Sequence, residues 1–346
     1  MGLPSITHIN LARGWRGGEH QTSLLIAELR KSGFSQHLVA HPGSPMAEMG
    51  NSLGLPVLSP VELLISPRQL SGSILHAHEA RGVYLANWVK RWTGVPYVVT
   101  RRMQTAPRRR LFTTRVYQDA DQLVGISRAA CVGLEKIAPG KSVLRIPSAH
   151  SGIRIQRDKV EELRRQLLGA GANILIGHAG ALVDRDKGQS VLIDAFRLVS
   201  SSRDDAQLVI MGQGPDKTFL EERSSGLNVK FLGQIDNIQQ YLATLDCFIL
   251  PSRHEGLGSV LLEVMNAKVP IIATKVGGIP DIVEDGVTGV LVDSGDEIML
   301  SEAIKKIIDE KTFSANLVDA ACRKIDRYSP SKMAHEYINI YSSLVE

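Results

Sequence analysis

The stretch that most constrains the fold is residues 249–289, ILPSRHEGLGSVLLEVMNAKVPIIATKVGGIPDIVEDGVTG. Phe248, Ile249 and Leu250 form a short apolar strand that Pro251 ends, and a polar, glycine-bearing loop follows over 252–258. Residues 259–265 then read as a helix. A second apolar strand, 270–274, leads into Gly277-Gly278-Ile279-Pro280 and another helix start at Asp281. Two strand–loop–helix units in direct succession require parallel strands with helical crossovers. The loops carry the chemistry. Gly256 and Gly258 sit where backbone N–H groups are unpaired and the helix dipole is positive, which favours an anion. Glu255 and Glu263 lie eight residues apart, one on the loop and one about two turns into the helix.

The rest of the chain repeats this rhythm. Strands are expected at 6–11, 37–41, 57–58, 73–79, 96–100, 121–125 and 143–147, and again at 174–179, 207–211 and 229–233, with helices between many of them, and 245–250 leads back to the central stretch. The 346 residues exceed one average domain and suit two, each with its own core. The polar stretch 148–156 reads as the hinge. No apolar run approaches the roughly 18 residues that would span a bilayer, and MGLPSITHINLARG lacks the layout of a secretory leader. Three widely spaced cysteines, Cys131, Cys247 and Cys322, are expected to be free thiols in a reducing cytoplasm.

Charge is unevenly placed. Residues 1–157 carry 20 Lys+Arg against 8 Asp+Glu, whereas the remainder carries 20 against 28. The first half is therefore expected to meet an anionic partner. Its sharpest feature is Arg101, Arg102, Arg108, Arg109, Arg110 and Arg115, six arginines with no acid among them. Guanidinium groups suit phosphate, so a dock for an anionic glycolipid acceptor or an anionic membrane surface is expected there. No helix-turn-helix, zinc-finger or RNA-recognition text is present, and nucleic acid is disfavoured. Neither Gly17-Gly18 nor Gly212-Gln213-Gly214 completes a dinucleotide G-x-G-x-x-G, which disfavours an oxidoreductase. Of the two histidines in 73–79, His76 reads as structural. His78 falls at the carboxyl end of its strand, where open α/β sheets bind ligands.

Together these pieces resemble the E-x7-E type of retaining glycosyltransferase, family four, with the GT-B fold. The matching text is Pro251-Ser252, Glu255-Gly256-Leu257-Gly258, Glu263, Gly277-Gly278, Pro280-Asp281-Ile282, and Asp285-Gly286 with Gly289 and Leu291-Val292. The resemblance implies two Rossmann-like doubly wound α/β domains facing a cleft: 1–157 for the acceptor, 158–329 for the nucleotide sugar, and 330–346 as a helix returning to the first domain. It implies a nucleoside-diphosphate sugar as co-substrate, UDP-sugar by preference, with no metal and no other cofactor. The donor would be held by Gly17, Gly18, Arg185, Lys187, Gly233, Glu255, Gly256, Leu257, Gly258 and Glu263. Lys187 would neutralise the leaving diphosphate, Glu263 would bind ribose hydroxyls, and Glu255 and His78 would contact the transferred sugar. The acceptor would be a cell-surface glycolipid or polysaccharide, and the enzyme cytoplasmic, with a place on the inner face of the membrane.

The chain departs from the family text at three places. Arg101-Arg102 follows Thr100 where the family has T-x-H, Ala181 stands where it has the loop arginine, and 148–154 alters its N-G-x-D. Arg185 is the expected substitute for the loop arginine. Two other readings remain open at this stage. A sugar-nucleotide epimerase would need acids in the first domain, where only Glu79 is near the centre. A catalytically silent sugar-nucleotide or glycolipid-binding protein would fit the three departures.

Overall fold

The computed structural model describes residues 3–70, 72–107 and 110–345. Contacts divide the chain into two compact units, Met1–Ala149 with Tyr328–Glu346, and His150–Arg327. Each is built on one parallel sheet.

The first unit contains β1 (Ser5–Ile9), β2 (Gln36–Val39), β3 (Val57–Leu58), β4 (Ser73–Ala77), β5 (Tyr97–Arg101), β6 (Gln122–Gly125) and β7 (Val143–Arg145), ordered β3-β2-β1-β4-β5-β6-β7. Every pairing is parallel. Both faces of the sheet are covered, so its central strands are buried along nearly their whole length, polar residues included. Ile9, Leu75, Tyr97 and Leu123 pack on one side with the helices Ala80–Thr93, Leu111–Gln118 and Arg128–Ile137. Ile6, Ile74, Val98 and Val124 pack on the other, with Leu25 and Leu29 of the helix Gly17–Lys31 and Met333, Tyr337, Ile340 and Tyr341 of the helix Pro330–Ser343. The C-terminal helix is therefore part of the first unit's core, although it follows the whole second unit in sequence.

The second unit contains β8 (Ile174–Ala179), β9 (Ala206–Met211), β10 (Val229–Gly233), β11 (Cys247–Leu250), β12 (Ile271–Thr274) and β13 (Val290–Val292), ordered β10-β9-β8-β11-β12-β13. One face is filled by Ile176, Leu208, Ile210 and Ile249 against Phe196 of the helix Gln189–Ser200 and Ile304 of the helix Glu297–Asp309. Several elements differ from expectation, among them β13, which no expected strand covers. The loop 180–188 contains a one-turn helix, Asp184–Lys187. The helix expected from Asp281 begins at Ile279, with its Pro280 in the first turn, where a missing N–H costs nothing. A further helix, Lys311–Ile325, starts almost where its predecessor ends.

Both sheets reverse their strand order once, between β1 and β4 and between β8 and β11. Ligands of open α/β sheets bind at the carboxyl ends flanking such a reversal. That rule selects the loops after β8 and β11 in the second unit, and those after β1 and β4 in the first.

Candidate functional site

In the second unit the loop after β8 carries Lys187 and the loop after β11 carries Glu255. Lys187 Nζ lies 2.5 Å from Glu255 Oε2, with both side chains largely covered. An ammonium just ahead of the helix Gln189–Ser200 opposes that helix's dipole, and the Glu255 carboxylate answers it. Glu255 also accepts from the Ser252 hydroxyl at 3.3 Å and from the Gly256 N–H at 3.2 Å. The loops are latched through backbone: the Asp186 carbonyl accepts from Arg253 N–H at 2.9 Å and His254 N–H at 3.0 Å. Gly188 permits the close approach. Its φ is +65°, and an added Cβ would collide with the Pro251 carbonyl oxygen.

Glu263 sits in the first turn of the helix Val260–Asn266 and is buried. Its carboxylate accepts from the Ser151 N–H at 2.6 Å, the Ser151 hydroxyl at 2.8 Å and Gln239 Nε2 at 3.4 Å. Burial raises its pKa, and the Ser151 hydrogen bonds pull the other way. Ser151 and Gln239 are partners of this candidate site residue that sequence reasoning missed. They lie 112 and 24 residues away, and no local periodicity links them to Glu263.

The other expected donor residues take varied places. Arg185 projects its side chain into solvent, 86% exposed, beside Asp186. Gly258 has φ +78° and is packed against Leu250, Leu261 and Ile279. Leu257 is 2% exposed, so its side chain belongs to the core and it offers a ligand backbone alone. Gly233 ends β10, and its carbonyl accepts from Gly212 N–H at 2.7 Å. The acids of Asp184-Arg185-Asp186 are also engaged. Asp184 caps the following helix through Ser190 N–H at 2.6 Å and Ser190 Oγ at 2.8 Å, and Asp186 Oδ1 lies 3.7 Å from His254.

In the first unit, Gly17 and Gly18 open the helix after β1. His78 follows β4 and is buried beside His76 and a histidine the sequence did not single out, His8 of β1. Parallel register sets His8 opposite His76. His76 is held on both sides, by Tyr341 Oη and Thr100 Oγ1, each at 2.7 Å. Tyr337 Oη continues the network to Thr100 at 2.8 Å. Glu79 caps the next helix, accepting from Arg81 and Gly82 N–H at 2.6 Å each, so the one acid an epimerase could have used is already committed.

Among the described residues, His8, His76 and His78 are the one His/Cys/Asp/Glu group close enough to hold a metal, their ligand atoms lying within 4.8 Å of one another. The nitrogens of His76 face two hydroxyls, and His8 Nδ1 lies 2.9 Å from His78 Nε2. The group is knit by hydrogen bonds.

The arginine cluster separates. Arg101 is 9% exposed, and its Nη2 donates to the Thr105 carbonyl. That burial removes it from any membrane contact. Arg102 lies over Gly18, and its Nε is buried without a partner. Arg108 and Arg109 lie outside the described residues. Arg110 is exposed at the start of the helix Leu111–Gln118, followed by Leu111 and Phe112 at 95% and 60% exposure. The basic surface is thus also apolar. Among the described residues no helix is long and apolar enough to cross a membrane. None of the three cysteines is in a disulfide.

Residues 173–310 match the family described as Glycosyl transferases group 1. Over 363 aligned positions the chain is 27% identical to phosphatidyl-myo-inositol mannosyltransferase of Mycobacterium leprae, covering 95% of this chain and 93% of that protein. A shorter stretch is 32% identical to N-acetyl-alpha-D-glucosaminyl L-malate synthase of Bacillus anthracis, covering 40% of this chain and 37% of that one. Among solved structures, Anabaena Alr3699/HepE in complex with UDP and glucose superposes with a TM-score of 0.85 at 19% identity, over 98% of this chain and 100% of that one. Sucrose-phosphate synthase from Thermosynechococcus elongatus does so with a TM-score of 0.81 at 18% identity, over 99% of each.

Proposed function

The chain is a glycosyltransferase of the GT-B fold with a group 1 domain, and we propose that it moves a sugar, with retention of configuration and without a metal, from a nucleoside-diphosphate sugar to a glycolipid or polysaccharide acceptor. UDP is the base we favour, in keeping with the UDP complex of the similar Anabaena structure. The glycolipid class is in keeping with the mannosyltransferase relative. The observation that carries the donor reading is the Lys187–Glu255 pair at the β8/β11 strand reversal, its Glu255 eight residues ahead of buried Glu263.

The chemistry follows from these groups. As the glycosidic bond breaks, charge grows on the leaving diphosphate, and a fixed cation stabilises that charge in the transition state more than in the ground state. Lys187 is that cation, with exposed Arg185 free to swing onto the same group. The Gly256 and Gly258 amides are assigned to the phosphates alongside it, and Glu263 to ribose hydroxyls. Glu255 exchanges part of its bond to Lys187 for hydroxyls of the sugar. In the first unit, Gly17 and Gly18 offer amides and His78 takes a substrate hydroxyl. Arg102 and the basic, apolar surface at Arg110, Leu111 and Phe112 are assigned to an anionic acceptor and an anionic membrane surface, and the enzyme to the cytoplasmic face, as parts of the same proposal.

A thermal-shift panel of UDP, GDP, ADP and their sugars, with and without EDTA, tests the donor reading. Binding to the folded state stabilises it by RT ln(1 + [L]/Kd), about 2.7 kcal/mol at 100-fold over Kd. A shift with one base, unchanged by EDTA and lost in Glu263→Ala, supports it; no shift with any nucleotide overturns it. Sedimentation with anionic and neutral vesicles tests the membrane reading. It fails if binding is equal for both, or is insensitive to replacing Arg108, Arg109 and Arg110 by serine.

A further inference from the structure

We infer that Gln36 and His8 are positioning residues that lock His78 into a single tautomer, leaving its Nδ1 as a bare, buried acceptor for a neutral hydroxyl of the substrate. The inference rests on the assignment of His78 to substrate made above.

The argument starts at the carboxamide of Gln36 on β2. Its Nε2 donates to the Ile26 carbonyl at 3.1 Å. A carbonyl can only accept, so the amide orientation is fixed and Oε1 faces His8, 3.0 Å from His8 Nε2. An amide oxygen also only accepts, so His8 Nε2 must carry the proton. His8 is fully buried with no carboxylate bonded to it, and burial lowers its pKa to about 4. It is therefore neutral, and its Nδ1 is a lone pair. His78 Nε2 stands 2.9 Å from that lone pair and must in turn be N–H. Burial, with His76, His8 and the Arg102 guanidinium nearby, keeps His78 neutral as well. Its remaining nitrogen, Nδ1, is then bare. That atom is buried and has no partner among the described residues.

His76 cannot complete the chain instead, because both of its nitrogens face hydroxyls. Three side chains in a row thus end in an unmet acceptor next to the strand reversal. Unsatisfied buried polar atoms are rare and call for a reason. A lone pair accepts from an O–H and repels the oxygens of a carboxylate or phosphate. At this position the site should take a sugar hydroxyl and refuse an acidic substituent. A buried metal ion bridging the three histidines is the competing account.

The test is the 15N imidazole spectrum of the full-length protein labelled at histidine, with His78 assigned from His78→Gln. The expected wild-type pattern is N–H character at His78 Nε2 and bare character at Nδ1, unchanged by added zinc. N–H character at Nδ1, or a zinc-induced shift of the three rings, overturns the inference. Gln36→Glu supplies the second arm. A carboxylate beside His8 favours its imidazolium, which donates through Nδ1 and drives the proton of His78 onto Nδ1. The expected result is a reversed His78 pattern and a fall of about tenfold in kcat/KM with the nucleotide sugar the panel selects, while the Kd of the nucleoside diphosphate stays unchanged. An unreversed pattern overturns the tautomer lock. A reversed pattern with full activity retains the lock and overturns the assignment of His78 to substrate.

Discussion

Replacing Glu255 by glutamine should strengthen the binding of the bare nucleoside diphosphate while weakening catalysis. Lys187 Nζ is held 2.5 Å from Glu255 Oε2, with the two side chains 23% and 15% exposed. A diphosphate must compete with that carboxylate for the ammonium. Partly exposed ion pairs contribute about 0.2–1 kcal/mol, and this pair, short and mostly covered, belongs near the upper end. Glutamine preserves the volume and the bond from Ser252 but removes the charge. Releasing about 0.7–1 kcal/mol of competition should lower the Kd by roughly threefold to fivefold. Lys187→Ala should raise the Kd by about 10- to 150-fold, the worth of one charge-assisted hydrogen bond at 1.5–3 kcal/mol. The two changes must not add: without Lys187 the gain from Glu255→Gln disappears, a coupling of about 1 kcal/mol. Titration calorimetry on the four proteins of the cycle, with the diphosphate selected by the panel, measures this directly. The reasoning is refuted if Glu255→Gln weakens diphosphate binding, or if the two free energies sum. Turnover in Glu255→Gln should fall even as the product binds more tightly, because the carboxylate that contacts the sugar is gone.

Other perturbations read different parts of the molecule. Gly188→Ala puts a Cβ against the Pro251 carbonyl oxygen at φ +65°, so urea melts should show a loss of at least about 1–2 kcal/mol, with diphosphate affinity falling as the Lys187 loop is displaced. His178 is fully buried on β8, with Nδ1 2.9 Å from the Ile249 carbonyl, and burial lowers its pKa to about 4. Its neutral form favours folding above pH 6.5, and that stability, about 3 kcal/mol, is lost as the pH falls from 6.5 to 4; His178→Gln should flatten the stability–pH curve by up to one proton in that window. His76→Phe strands the hydroxyl of Tyr341 in the first unit's core and leaves Thr100 only its bond to Tyr337, and should cost about 1–3 kcal/mol in chemical denaturation.

Local structure was readable wherever the physical cause was local. The helix 189–200 was legible from its apolar spacing, and its observed bounds, Gln189–Ser200, are the expected ones. Residues 259–265 and the observed Val260–Asn266 differ by one position. The one-turn helix Asp184–Lys187 escaped because four polar residues have no periodicity to detect. Lys311–Ile325 escaped because a single residue, Glu310, separates it from the preceding helix, and no glycine or proline marks the break.

By itself, then, the amino-acid order determined the alternation of strand and helix and the glycine-bearing turns, since these depend on residues within a few turns of one another, and its resemblance to known text nominated Lys187, Glu255, Glu263 and His78 as candidates. Tertiary structure alone decided their partners. Lys187 meets Glu255 across 68 residues, Glu263 meets Ser151 across 112, and His78 meets His8 across 70. Tertiary structure also separated Arg101 from the basic surface and placed Tyr341 against His76 from the far end of the chain. Two of these follow from strand order: Lys187 meets Glu255 because β8 lies beside β11, and His78 meets His8 because β1 lies beside β4. Strand order is set by which crossovers bury the most apolar surface, a property of the whole sheet that no local stretch of sequence contains.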